Sequence, residues 1–467
     1  MDNLVGVKQG EVLSPLLFNL FINDLVESID GNENAKLNEK EVPCLLYADD
    51  LVLISTSEDD LQRKLNGLDR YCNQWSLEVN TSKTKVMRVS KNGRKSAKSF
   101  YLGKQQLDNT DTYKYLGLIF SSSGKFKMAK DNIYERGLKA LFGLKSAIDR
   151  EYLSVFTSLK LFDHTVKQVC LYGSEIWTEF EKDTASLSPY EFIEKLFQKS
   201  VIEKVNMSFC KWLLGVNKKT VNLAVIGELG RYPLFIDTII RTVSYWANLQ
   251  NRRFKKHLLN DCLNLSENLH NSGSISWISG INKILQLFGV NCSGIQNSII
   301  DIKSLKKNVL FEFEKFWKIT IKNGQGKKGN NKLRTYAKFK TNFVLEKYLL
   351  GTPFSLRANF SRFRVSAHNL AIETGRHTRP VTPVDQRICR ECNLNEVEDE
   401  MHVLLRCDKY GDKRKEVFKK ITDACRNFDI LPDSEKFIYL LNSEDEVLGF
   451  CLDLINHIFQ TRTRRSS

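Results

Sequence analysis

No stretch of this 467-residue chain is apolar for the ~18 positions a membrane-crossing helix needs, and its first residues lack the charged-then-apolar order of a secretory signal. These absences predict an intracellular protein, nuclear or cytoplasmic rather than secreted, with no membrane partner. No unit of sequence recurs at a fixed period, which excludes a solenoid. The 11 cysteines show no regular pairing apart from one cluster near the carboxy end. Cys44, Cys72, Cys170 and Cys210 stand among apolar neighbours and read as small buried hydrophobes in a reducing compartment. Negative charge is also in short supply: 55 Asp and Glu face 70 Lys and Arg, a net +15. That balance points to a polyanionic partner such as nucleic acid, or to an ordinary basic surface.

Tyr47-Ala48-Asp49-Asp50 lies between two apolar runs, Pro43 to Leu46 and Leu51 to Ile54. It reads as the tip of a hairpin that lifts two adjacent carboxylates out of a buried sheet. Paired acids on a hydrophobic sheet are costly unless a cation neutralises them, so Asp49 and Asp50 are candidate ligands of Mg²⁺, a hard ion that prefers oxygen. Side chains alternate along a strand, so only one of the two aims squarely into a given site. Two-metal phosphoryl transfer, with ions ~3.5–4 Å apart, needs a further carboxylate from elsewhere.

Ser14-Pro15 has the form of a helix start, and Leu17, Phe21 and Leu25 at spacing four extend one amphipathic helix from Pro15 to Ile29. A strandless polar spacer, Asp30 to Lys40, leads to the hairpin. Ser57 with Asp60 resembles a capping box ahead of a second stripe, Leu61, Leu65, Leu68, Cys72 and Trp75. Extended runs at Leu77 to Val79, Val86 to Val89, Phe100 to Leu102 and Tyr113 to Phe120 complete a small α+β module. From about Gly124 long helices dominate: Phe126 to Ile148, Val155 to Trp177, Tyr190 to Leu214, Leu234 to Leu249 and Leu305 to Ile321. Residues 322–340 hold seven basic side chains and no acid, with interspersed glycines and with Tyr336 and Phe339. They read as a flexible basic linker, either tracking a phosphate backbone with its rings stacked on bases or simply solvated. Further on, Cys389-x2-Cys392-x9-His402-x4-Cys407 has the spacing of a closed tetrahedral Zn²⁺ site. Three thiolates and an imidazole leave no open position, so the expected role is structural. His164, His368 and His377 have no nucleophile beside them in sequence and read as structural.

Four segments now align in order and spacing with a known family: Gly6-Val7-Lys8-Gln9-Gly10-Glu11-Val12-Leu13-Ser14-Pro15, Tyr47-Ala48-Asp49-Asp50, Asn80-Thr81-Ser82-Lys83-Thr84-Lys85 and Tyr115-Leu116-Gly117. They resemble successive blocks of reverse transcriptases, most closely those of LINE-type retrotransposons, which lack long terminal repeats. The resemblance implies an RNA-directed DNA polymerase with an RNA template, a DNA primer or target, deoxynucleotides and a two-metal Mg²⁺ site. It implies Asp49 as metal ligand assisted by Asp50, with Gln9, Gly10 and Tyr47 at nucleotide or template. Lys83 matches a lysine beside the leaving pyrophosphate, and Tyr115, Leu116 and Gly117 match a primer-gripping hairpin. Taken alone, Lys83 reads more simply as an ordinary solvated turn lysine, and Tyr113, Tyr115 and Gly117 also match an ordinary half-buried strand face. LINE-type proteins also often end in a Cys-Cys-His-Cys cluster like that of Cys389, Cys392, His402 and Cys407.

The family's earlier block, which carries the other catalytic Asp, and its endonuclease have no counterpart before Gly6. The expected fold is therefore α+β: an incomplete polymerase palm, a small antiparallel sheet with helices, over 1–123. A helical thumb-like region would follow over 124–215 and a helical region of unassigned role over 216–321. The basic linker 322–340, a helical connection 341–385, a zinc module 386–410 and a helical tail with a basic end, 411–467, complete the series. Such a chain is expected to be the carboxy-terminal portion of a retroelement polyprotein, inert by itself. The alternative is a non-enzymatic nucleic-acid-binding remnant that uses the basic linker and the zinc module. An incomplete palm is also expected to expose sheet edge and apolar surface.

Overall fold

The computed structural model describes residues 6–8, 10–29, 34–90, 98–178, 187–251, 258–290, 301–324 and 332–463. The chain forms two compact units, Met1–Asn132 with Trp246–Gly280, and Ile133–Tyr245 with Ile281–Ser467. In the first unit the order is α1 (Ser14–Phe21), α2 (Leu25–Ser28), β1 (Ala35–Leu37), β2 (Lys40–Val42), β3 (Cys44–Tyr47), β4 (Asp50–Leu53) and α3 (Glu58–Gln74). Strands β5 (Lys85–Val86), β6 (Phe100–Leu102), β7 (Gln105–Asn109), β8 (Thr112–Tyr115) and β9 (Leu118–Ser121) follow.

α3 organises this unit. The Ser57 hydroxyl accepts the Asp60 N–H at 3.3 Å, and Glu58, Asp59 and Asp60 fill the first turn, where the helix dipole favours negative charge. Leu65, Leu68, Tyr71 and Cys72 recur at helical spacing and form the buried face. Against it pack Leu25 and Ile29, Val86, Phe100, Leu102 and Leu107, with Cys44, Leu51 and Leu53 of the β3–β4 hairpin at the edge. A Cβ on Gly67 would lie 2.5 Å from the Ser28 carbonyl oxygen, so only glycine lets the backbone after α2 approach α3 this closely.

The strands do not join into one antiparallel sheet. β1–β2, β3–β4 and β8–β9 are separate two-stranded ribbons, and the third sheet, in order β5-β7-β6, has β5 parallel to β7. The helix expected from Pro15 to Ile29 is two pieces broken at 22–24. Ile22, Leu25 and Ile29 form its buried set, while Leu17 and Phe21 stay exposed, so the turn rotates the apolar stripe away from its first half. Ser14 lies inside α1 rather than capping it, and its hydroxyl donates to the Lys8 carbonyl at 2.6 Å. The supposedly strandless spacer holds the β1–β2 hairpin, which turns at Asn38 with φ 55°, a conformation Asn tolerates; residues 30–33 lie outside the described residues. Lys40 at its edge pairs at 2.7 Å with Asp261 of the helix Leu258–Asn271, so a helix far along the chain belongs to this unit. Leu77 and Val79 pack on the core without forming a strand.

The second unit is helical. The run Val155 to Trp177 is three helices, Val155–His164, Val166–Cys170 and Ser174–Trp177, the last preceded by Gly173 at φ 67°. Tyr190 to Leu214 divides at Ser200 into Pro189–Lys199 and Val201–Leu214. Ile302–Asn323 stands as expected. Aromatic packing fills the interior: Phe162 stacks on Phe209 at 4.5 Å, and buried Trp317 donates to the Leu223 carbonyl at 2.9 Å. Arg364, fully buried, is held by Glu228 at 2.7 Å and Glu346 at 2.8 Å and lies 4.6 Å over the Phe339 ring. Gly230, at φ 52°, would place a Cβ 2.4 Å from the Leu345 nitrogen.

The stretch expected to be a flexible basic linker is in part folded. Residues 325–331 lie outside the described residues, but Tyr336–Phe339 is a short helix whose two rings are buried. The Tyr336 hydroxyl donates to the Ala224 carbonyl at 3.2 Å, so neither ring is free to stack on a base.

Candidate functional site

β3 and β4 pair with Tyr47 opposite Asp50, which makes Ala48-Asp49 a two-residue turn. Ala48 has φ 52°, a left-handed conformation that favours glycine and holds the tip in a tight bend. Asp49 is therefore in the turn and Asp50 begins a strand. Both carboxylates are exposed and make no hydrogen bond or ion pair among the described residues. The strands themselves are not buried as expected: Leu45 and Leu46 are partly in solvent and Tyr47 is 63% exposed. A lone ribbon has one face on the core and one in water, whereas the apolar run suggested cover on both.

The other sequence-predicted residues lie at several places in the first unit. Leu116 (φ 46°) and Gly117 (φ 81°) form a two-residue turn between β8 and β9, with both central residues left-handed, as hairpin twist requires. Tyr115, just before the turn, is half-buried and its ring lies 6.4 Å from Phe120. Burial and then the Asp50 charge raise the Tyr115 phenol, so the tip of the Asp-Asp hairpin and the expected primer-grip hairpin share an electrostatic neighbourhood. Lys83 sits in the turn that Asn80 organises by accepting its N–H, and its side chain is exposed. Gly10, at φ 90°, has open space where a Cβ would stand. Gln9 lies outside the described residues.

Sequence reading missed what fastens the Asp-Asp hairpin. Lys64 and Asp60, one turn apart on α3, are both fully buried. The Lys64 ammonium donates to the Ile54 carbonyl just beyond β4, and Asp60 accepts from Ser55 at 2.8 Å. The only hint in the sequence is a Lys on the apolar side of the α3 stripe.

In the second unit, one ligand atom from each of Cys389, Cys392, His402 and Cys407 falls within 4.8 Å of the others. The sulfurs of Cys389 and Cys407 are 3.9 Å apart, and Cys392 Sγ is 3.4 Å from His402 Nε2. A tetrahedral ion with bonds of ~2.3 Å to sulfur and ~2.0 Å to nitrogen would separate such atoms by about 3.5–3.8 Å, so the donor set fits. The Cys389 N–H donates to Glu396 and the Glu398 N–H to Arg387, an antiparallel clasp around the Ile388–Val397 bridge. His402–Arg406 is one π-helical turn, closed by the Cys407 N–H on the His402 carbonyl at 2.8 Å, and that wide turn brings together two ligands five residues apart. Burial pushes the Cys389 and Cys407 thiols up, opposed by the N–H groups of Glu391 and Lys409 on their sulfurs.

Three alternate glutamates wire this cluster. Glu396 accepts from His402 Nδ1 at 2.9 Å, fixing the ring with Nε2 toward the thiols. Glu398 binds Arg462 and accepts the Ala371 N–H at 2.6 Å. Glu400, fully buried, contacts Arg334, Thr335, Ser366 and His368. Burial opposes its ionisation, but hydrogen bonding and charge from His368 and the Arg334 charge hold its carboxyl well below the usual carboxylate range. His368 is thus structural, as its sequence context suggested.

Residues 3–120 match the reverse transcriptase (RNA-dependent DNA polymerase) family. That segment is of reverse transcriptase type. Among its relatives are the Pol polyprotein of the type-1 retrotransposable element R2 of Nasonia vitripennis, 30% identical over 132 residues, and that of the type-2 element R2DM of Drosophila melanogaster, 32% over 130. The RNA-directed DNA polymerase of the mobile element jockey of Drosophila funebris is 31% identical over 130 residues. Each alignment covers 26% of this chain, and they span 13%, 12% and 14% of the relatives' own lengths. The aligned reverse transcriptase segment contains Asp49, Asp50, Lys83 and the Tyr115 turn, and excludes the cysteine cluster. No helix among the described residues is long and apolar enough to cross a membrane.

Proposed function

We propose that this chain is part of an RNA-directed DNA polymerase of a LINE-type retrotransposon, to which it contributes the Asp49-Asp50 hairpin of a two-metal nucleotidyl-transfer site. The observation that carries the reading is the pair of unengaged carboxylates at a tight turn, within the segment of reverse transcriptase type. Asp49, with Asp50, would hold Mg²⁺, which when bound stabilises the charge that develops on attacking and leaving oxygens. The charge of Asp50 acts on Tyr115, and the β8–β9 turn offers a hydrogen-bonding edge for a primer strand. Gly10 leaves an open backbone surface for template or nucleotide, and Lys83 supplies a mobile positive charge for the phosphates. One hairpin does not hold two ions ~3.5–4 Å apart, so a further carboxylate from another segment completes the site.

The test is primer extension on an RNA template with Mg²⁺, using this chain alone and with an amino-terminal palm segment of a related enzyme supplied in trans. Extension is expected only in the second case, and Asp49→Asn should lower it by at least about 100-fold. Equal extension by the Asp49→Asn protein sinks the assignment.

A second reading, a non-enzymatic nucleic-acid-binding remnant, draws on the Cys389, Cys392, His402 and Cys407 cluster. We read this cluster as a structural Zn²⁺ site: its donors are soft, its four positions are filled by protein, and its histidine is oriented by Glu396. Salt-dependent binding of RNA without extension under either condition favours this reading over the first.

A further inference from the structure

Within the second unit, cations gather around the carboxyl end of the helix Val201–Leu214. The Arg150 guanidinium is sandwiched between aromatic faces, 3.9 Å from the Phe354 centroid and 4.7 Å from that of Trp212, and donates to the Trp212 carbonyl at 2.7 Å. Arg357 donates to the Arg150 carbonyl at 2.9 Å. Arg362 donates to the Gly215 carbonyl at 2.8 Å, and Lys145 to Ser208 at 3.3 Å. Lys218 is exposed on the loop that follows.

The bland explanation is that these side chains cap a helix terminus, and their carbonyl partners show that some of them do. Charge argues for more. A helix end carries about half a negative charge, and the nearby acids are Asp149 and Glu151, which leaves an excess of roughly two positive charges on the patch. None of Lys145, Arg150, Lys218, Arg357 or Arg362 has a carboxylate at ion-pair distance among the described residues. The cations feel one another: burial and then the charges of Lys218 and Arg150 hold the Lys145 ammonium below its ordinary value, and burial lowers Arg150, where the charge of Arg362 works against those of Glu151 and Asp149. Cations held by neutral oxygens, backbone carbonyls together with the Ser208 hydroxyl and the Asn359 side chain, rather than by carboxylates, and with one guanidinium lying against two rings, form a cradle for an external anion. The Nε of Arg357, buried and without a hydrogen-bond partner, lies in the same cluster.

We propose that this surface binds the phosphate backbone of a polynucleotide, separately from the Asp-Asp hairpin. The proposal rests on the reading that the chain handles nucleic acid and adds where this unit grips it. A stacked guanidinium presents a rigid edge for phosphate oxygens, and Lys145, Lys218 and Arg362 supply the surrounding field.

The experiment is fluorescence anisotropy of the full chain with labelled poly(U) RNA over a salt series. Lys218→Gln with Arg362→Gln is compared with a control that removes the same charge elsewhere, Lys306→Gln with Lys307→Gln on the exposed side of the helix Ile302–Asn323. The cluster variant should bind at least about tenfold more weakly, with the slope of log affinity against log salt shallower by about 1.4, while the control changes little. Lys218→Glu alone, at a side chain with no ion-pair partner among the described residues, should weaken binding in the same direction with an unchanged melting curve. Equal losses in cluster and control, or none in the cluster variant while the unmodified chain still binds, overturn this site and leave the polymerase reading to its own test. Failure of the unmodified chain to bind poly(U) at all overturns both.

Discussion

The Lys64 ammonium lies 3.4 Å from the Asp60 carboxylate, and both side chains are fully buried behind the hairpin that carries Asp49 and Asp50. Because Lys64 also donates to the Ile54 carbonyl and Asp60 also binds Ser55 and Arg63, this pair ties β4 to α3 rather than merely neutralising itself.

Removing one partner leaves the other charge buried and alone. Lys64→Ala should destabilise the first unit by about 3–5 kcal/mol, whereas Lys64→Met combined with Asp60→Leu should cost much less. Hydrogen exchange at the α3 amides, followed in urea, reads the difference. A single substitution costing under about 1 kcal/mol would show that the pair does not fasten the hairpin.

The cysteine cluster makes a compositional prediction. The purified chain should carry about one zinc ion, and Cys407→Ser should remove it. Chelation should unfold residues 386–410 and, because Glu398 and Glu400 bind Arg462 and Arg334, loosen the helix Asp445–Thr463 with them. Elemental analysis and proteolysis with and without chelator measure both. A metal-free chain with an intact, protease-resistant module rules the ion out.

Stability should also depend on pH through Glu203. Burial pushes its carboxyl up to about 7, against hydrogen bonds from Asn206 and the Leu234 N–H and the charge of Arg231. An ordinary carboxyl in the unfolded chain titrates about 2.5 units lower, so between the two values the folded state holds the extra proton. The resulting contribution, about 3 kcal/mol, is present at acidic pH and is lost as pH rises through about 7. Melting of the second unit from about pH 5 to about pH 8 should show this fall, and Glu203→Gln should flatten it. An equal slope in the variant assigns the dependence elsewhere.

The tight turn at the Asp-Asp hairpin and the gathering of Cys389, Cys392, His402 and Cys407 were legible in the sequence because their signals are local. A turn must sit at Ala48-Asp49 between two apolar runs, and three cysteines and a histidine at such short spacing are readily picked out. The Ser57 cap of α3 and the helix Ile302–Asn323 were legible for the same reason. What could not be seen depends on distant partners. Tyr336 and Phe339 sit in a basic, glycine-rich stretch that looks solvated, yet Ala224 and the Arg364 network draw them inward. The break at 22–24 follows from which face of a short helix meets α3, and the run Val155 to Trp177 is helical in composition throughout but interrupted by Gly173. The influence of the Asp50 charge on Tyr115 and the π-helical turn that joins His402 to Cys407 are matters of backbone path that periodicity does not encode.

Around α1, the aliphatic side chains of Val12, Leu13, Leu16, Leu17 and Leu20 stand in solvent. In suspension such a strip makes particles adhesive along one side, so light scattering should climb with protein concentration and subside with mild detergent or with Leu16→Gln and Leu20→Gln, the circular dichroism staying as it was. Whoever prepares this chain will meet that stickiness before any chemistry.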